Sequence, residues 1–260
     1  MKLPFFILLS IAILVSCRNE TKKQKIDPTP KKELIEAHSD SIKPPGKTID
    51  VDSDEESPKL VFDSISESEF NKLKATKFLR KIKPEQKGNE FYIETAIRKH
   101  TFRKYKDYGE PKNWCGTELK GVYPALKLFV LTENSTAEHM GFGELFLLDS
   151  VTDYQYFISS IGDGSVETPI PSPNNKYLVY YYNEVYEHQN SQIDVLKINS
   201  KTKPEKYLIP HSSYYSNQFA VEQIIWKSDR CFYVKGYREM YDESSGQWIK
   251  EFKYYRTTFK

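Results

Sequence analysis

IPSPNNKYLVYYY, residues 170–182, joins a turn to a strand. Pro171, Pro173, Asn174 and Asn175 punctuate the chain, because Pro presets φ and Asn tolerates turn conformations. Tyr177 to Tyr182 then reads as a strand, since aromatic and β-branched residues fit a pleated, half-buried surface. Alternation places Tyr180 and Tyr182 on one side and Tyr181 on the other. Runs of the same texture fill the rest of the chain: EFYIETAI (90–97), ALKLFVL (125–131), GELFLLDS (143–150), DYQYFISSI (153–161), SQIDVLKI (191–198), VEQIIWK (221–227), CFYVKGYREMY (231–241) and QWIKEFKYYRTTF (247–259). Gly, Pro, Asn, Asp and Ser separate them. Short strands at such spacing predict a mainly β fold of antiparallel sheets, propeller-like or β-sandwich. The last two runs, joined by DESSGQ (242–247), read as a hairpin.

A second stretch, IWKSDRCFYVKGY (225–237), aligns with the first: Ile170 with Ile225, Asn174 with Asp229, Tyr177 with Phe232. The offset is 55 residues (229 − 174). The first stretch resembles the SPDGKYLAY signature found in blades of secreted bacterial β-propellers, with Asn175 where that family often carries Gly. The resemblance implies a tight turn feeding a strand whose alternate residues pack inside a blade. The resemblance implies no activity.

Residues 62–260 hold all 19 Tyr, all 3 Trp and all but two of the Phe. Those rings supply a substantial core despite a mean hydropathy of -0.64. One helix precedes the strands. Ser66 and Glu69 fit a capping box, and Phe70, Leu73, Phe78 and Ile82 recur near helical spacing until Pro84. From Arg18 to Val61 there is no aromatic residue, and Lys, Asp, Glu, Ser, Thr and Pro dominate. Residues 17–61 therefore read as a disordered tether, with an r.m.s. span of roughly 35 Å. Asp50, Asp52 and Asp54 start a calcium-loop pattern, but Glu55 and Val61 stand where that loop needs Gly and Glu.

At the N-terminus, Met1 and Lys2 give a positive start, and Leu3 to Val15 is nearly all apolar. A membrane-spanning helix needs roughly 20 such residues, so this run has the length of a secretory signal's apolar core. It closes with Leu14-Val15-Ser16-Cys17, which resembles the lipobox of bacterial envelope lipoproteins. The resemblance implies that residues 1–16 are a signal peptide removed before Cys17, and that Cys17 carries a diacylglycerol and usually a further acyl chain. Two or more chains anchor a protein firmly, whereas one does so marginally. Arg18 is not the aspartate that retains such proteins at the inner membrane in enterobacteria, so an outer-membrane address is expected, on either face.

Net charge is +2 with pI near 8.2 and no dense basic cluster, which argues against a nucleic-acid partner. The five histidines, His38, His100, His139, His188 and His211, never fall three to five residues apart, so no local zinc motif is present. GxSxG and P-loop motifs are absent, and the glycines of SIGDGSVE (160–167) read as a turn. No catalytic residue, metal or cofactor is expected. Cys115 and Cys231 are a candidate disulfide in an oxidising envelope, with a buried thiol as the alternative for Cys231. Tyr180, Tyr181, Tyr182, Tyr186, Tyr214 and Tyr215 are candidate binding aromatics, against half-buried strand packing. Asp40-Ser41-Ile42, Asp63-Ser64-Ile65 and Asp149-Ser150-Val151 resemble the O-glycosylation motif of Bacteroides-type envelope proteins. The expected protein is a membrane-anchored, non-catalytic module that binds an envelope protein or glycan. An envelope hydrolase and an immunity-type lipoprotein are the alternatives.

Overall fold

The computed structural model describes residues 44–49, 58–110, 114–137, 140–159, 167–184 and 190–260. The expected signal peptide, Cys17, Asp40-Ser41-Ile42 and Tyr186 lie outside them. The elements are β1 (Gly46–Ile49), β2 (Phe62–Ile65), α1 (Glu67–Phe70), β3 (Glu85–Lys87), β4 (Glu90–Glu94), β5 (Lys99–Arg103), β6 (Cys115–Tyr123), β7 (Leu128–Ala137), β8 (Met140–Asp149) and β9 (Gln155–Ile158). There follow β10 (Ile170–Pro171), β11 (Tyr177–Asn183), β12 (Ser191–Ile198), β13 (Leu208–Ser216), β14 (Ala220–Ser228), β15 (Cys231–Asp242) and β16 (Gln247–Thr258).

The strands form four sheets. Sheet I is β3-β4-β5, sheet II is β1-β9-β8-β7-β6, sheet III is β10-β11-β12-β13, and sheet IV is β14-β15-β16-β2. They pack face to face in that order, as a layered, sandwich-like β fold. On sheet II, Leu128, Val130, Leu145 and Leu147 meet Leu178, Tyr180, Leu196 and Leu208 of sheet III. The alternate residues Leu131, Phe146 and Leu148 meet Phe91 and Ile93 of sheet I. Sheet III repeats the device: Tyr177, Val179, Ile193 and Val195 meet Ile224, Trp226, Phe232 and Val234 of sheet IV. Two inner sheets are thus buried on both faces. This explains their long apolar runs, because period-2 alternation between polar and apolar residues appears only where one face meets water.

The repeat read from sequence has a structural counterpart. Asn174 and Asp229 sit in the first turns of sheets III and IV and touch: the Asn174 backbone N–H donates to Asp229 Oδ1 at 2.9 Å, and its Nδ2 to Oδ2 at 3.1 Å. Burial alone would raise the Asp229 carboxyl, but these bonds and Ser172 hold it below the usual range. Asn175 has φ +53°, the left-handed conformation that Asn tolerates in place of Gly. The first turn of sheet III also has a backbone counterpart in sheet II, where Lys127 has φ +52° and donates its N–H to the Pro124 carbonyl, as Asn175 does to that of Ser172.

Two expectations shift. Residues 46–49, placed in the tether, form β1 and pair in parallel with β9; Ile49 is buried. Lys59 then bridges Ser213 on β13, and β2 pairs with β16. The N-terminal strand segment therefore fastens the outer edges of sheets II, III and IV in turn. The helix is also shorter. Ser66 caps it, its Oγ accepting the Glu69 N–H at 3.1 Å, but it ends at Phe70 after one turn. Phe70 packs on sheet IV, while Phe78 and Leu79 pack between sheets II and III. Eight helical residues advance only ~12 Å, whereas extended chain covers about twice that. Residues 75–82 accordingly run extended along the inner edges: past Trp226 of β14 and Ile170 of β10, then to Val122 of β6, which pairs with Arg80. Gly121 permits this approach, since a Cβ there would lie 2.8 Å from the Arg80 carbonyl oxygen.

Candidate functional site

β15 and β16 outrun their neighbours. β14 stops pairing at Tyr237 and β2 at Tyr254, so residues 238–253 continue as a two-stranded ribbon. Gly246, at φ +67°, closes its turn, and Asp242 accepts bonds from the hydroxyls of Ser244 and Ser245, both at 2.7 Å. These bonds hold the Asp242 carboxyl below its usual range. Cross-strand pairs dress both faces. One face carries Tyr237 opposite Phe252, Glu239 opposite Lys250, and Tyr241 opposite Trp248. Lys250 lies 3.8 Å from the Tyr237 ring centre and Lys235 3.8 Å from that of Phe252, both cation–π contacts. Tyr241 and Trp248 meet edge to face at 5.6 Å. The other face pairs Met240 with Ile249 and Arg238 with Glu251.

At the tip these side chains are open to solvent: Trp248 is 66% exposed, Tyr241 54%, and Met240 and Ile249 45% each. Four large apolar groups thus surround the end of the ribbon. Residues 239–249 include Glu239, Asp242 and Glu243 and no Lys or Arg. The tip is an apolar plug with an acidic end. Contiguous exposed apolar groups rimmed by charge mark interaction sites.

A cleft of about 460 Å³ opens between sheets I and II. Its walls include Ile82, Pro84, Phe91 and Leu119. Lys83 and Lys104 stand at it, with Glu118, whose carboxylate is held by Lys120 at 2.5 Å.

The buried acid–base groups act as staples. Asp153, 1% exposed, accepts from Thr95 Oγ1 at 2.8 Å, pairs with Arg98 Nε at 2.5 Å, and contacts His100 Nε2. Asp149, fully buried, pairs with Lys201 Nζ at 2.7 Å. Both aspartates lie on the β8–β9 turn, so one turn ties sheet II to sheet I and to sheet III. Among the described residues no group of three or more His, Cys, Asp or Glu could hold a metal ion. None of their helices is long and apolar enough to cross a membrane.

The sequence-flagged residues fare differently. Tyr180 and Tyr182 are buried between sheets and Tyr181 and Tyr214 are partly buried in the sheet III–IV core; Tyr215 alone of the five described is exposed. The tyrosine cluster is therefore mostly core, because sheet III is covered on both faces. Cys115 on β6 and Cys231 on β15 are free thiols in different sheets, so the candidate disulfide is not formed and Cys231 is the buried thiol of the alternative reading. Asp149 of Asp149-Ser150-Val151 is buried in its ion pair, whereas Asp63 and Ser64 are exposed on β2. The ribbon aromatics were not singled out from sequence. Their signal was present: β16 reads QWIKEFKYY, with apolar residues on both of its alternating faces, far from any second apolar layer. Compared with known protein families, curated proteins and solved structures, the chain shows no match.

Proposed function

We propose that this chain is an envelope lipoprotein, anchored through acylated Cys17, whose β domain is a non-catalytic module that binds another envelope protein through the β15–β16 ribbon. The observation that carries the reading is the exposed apolar plug at the ribbon tip. Folding does not explain it, because Tyr241, Trp248, Met240 and Ile249 stay exposed and join none of the core clusters. Exposure on both faces of the ribbon favours a groove in a protein over a sugar chain laid on one flat surface. Aromatic anchors of this kind dominate binding energy at protein interfaces. The buried His100–Asp153 pair supports a binding role over hydrolysis, since it is spent on joining sheets.

The test places a photo-cross-linker at Trp248 in the full chain in its native envelope, with the same probe at exposed Lys74 as control. A specific adduct from position 248 is expected, and it should weaken when Cys17→Ala releases the chain from the membrane. Equal labelling from both positions, or labelling of glycan alone, contradicts the reading.

A further inference from the structure

We infer that the ribbon tip of one chain docks into the sheet I–II cleft of a second copy of the same chain. The inference rests on the binding reading above and names the partner of that site. Two surfaces of one molecule are complementary and lie on different sheets. The plug offers Trp248 and Tyr241 with an acidic end formed by Asp242 and Glu243. The cleft offers apolar walls from Ile82, Pro84, Phe91 and Leu119 and two cations, Lys83 and Lys104. Its volume, about 460 Å³, falls within the range of cavities that enclose small ligands, so it can accept an aromatic side chain. Lys104 lines the cleft, and its Nζ donates to the Gly88 carbonyl at 3.1 Å in the β3–β4 turn. Glu118 is neutralised by Lys120 and leaves the pair of lysines to set the sign.

The contact joins two unlike surfaces. Such heterologous contacts propagate into rings or open chains instead of stopping at a symmetric dimer. Chains tethered to a common membrane would meet side by side, and the acidic tip and basic cleft would orient the encounter.

The heterologous geometry gives a decisive experiment on the full chain in detergent micelles, by analytical ultracentrifugation. The wild type should grow in mass with concentration beyond a dimer. Trp248→Ser, which spoils the plug, and Lys104→Glu, which spoils the cleft, should each stay at one chain. Mixed one to one, the two variants retain a single good plug and a single good cleft, so they should form dimers and nothing larger. Lys83→Glu serves as a second cleft variant in case Lys104→Glu perturbs folding. Glu243→Lys should weaken assembly at least tenfold, and adding Lys104→Glu to it should recover part of that loss. A wild type of one-chain mass at every concentration overturns the inference, as does assembly insensitive to all these changes or a mixture that fails to dimerise. If the chain is single but position 248 still cross-links to a different envelope protein, the self-docking fails and the binding reading stands. If position 248 labels nothing, both fail.

Discussion

Trp226 and Trp248 belong to the same sheet and live in opposite conditions. Trp226, on β14, is 8% exposed, donates its indole N–H to the Ile170 carbonyl at 2.9 Å, and meets Phe232 edge to face. Trp248, two strands away, is 66% exposed and meets Tyr241 edge to face. The sheet supplies both with the same backbone. What differs is the layer above: sheet III covers the base of sheet IV and the ribbon has none. Large apolar residues in the first place hold layers together, while those in the second are available to something else.

That contrast can be broken from the heavy end. Trp226→Ala should cost about 3–5 kcal/mol, from lost burial and the cavity left behind, read as a lower urea midpoint. Asp153→Ala should cost a similar ~3–5 kcal/mol, because it strands Arg98 and His100 beside a buried site; a loss under ~1 kcal/mol would show that the staple is ornamental. Gly236→Ala on β15 should cost about 1–3 kcal/mol, since its Cβ would lie 2.7 Å from the Phe219 ring. His211 gives a smaller, pH-dependent effect. Burial first, then Lys197 and Arg230, lower its pKa, so the unfolded chain takes up its proton more readily than the folded one. Stability should therefore fall as pH drops through the usual histidine range, and His211→Gln should flatten that slope in urea titrations. Trp248→Ser closes the series: a stability change within about ±0.5 kcal/mol is expected. A larger loss would mean that the ribbon is part of the folding core.

The sequence carried the β texture, the turn at Asn174 and its partner at Asp229, and the hairpin at residues 242–247. These are local signals, set by residues within a few positions of each other. It misled where a distant layer decides. Tyr180 and Tyr182 look like any aromatic strand residues, and alternation tells which side each faces but not whether that side is covered. Phe70, Leu73, Phe78 and Ile82 fit a helical period, yet Phe70 and Phe78 pack against different sheets, which only an extended chain can reach. Gly46 to Ile49 lack aromatic character, so the edge strand that they form shows only against β9. The third turn, at Pro124 to Lys127, lacks the Asn or Asp of the other two and was legible only through its backbone. The ribbon was legible as a hairpin, but the exposure of its aromatics was not, since exposed and buried aromatics share one alphabet.

The pairing of β2 with β16 has a consequence for the order of events. Ile65 lies opposite Tyr254, so one of the sheet's own seams joins residues almost 190 positions apart. Closing so large a loop is slow, and folds dominated by such distant pairings take milliseconds to seconds. Sheet IV cannot be completed until β16 has left the ribosome. β16 thus acts as the clasp of sheet IV: until it pairs with β2, the first and last strands of that sheet stay apart.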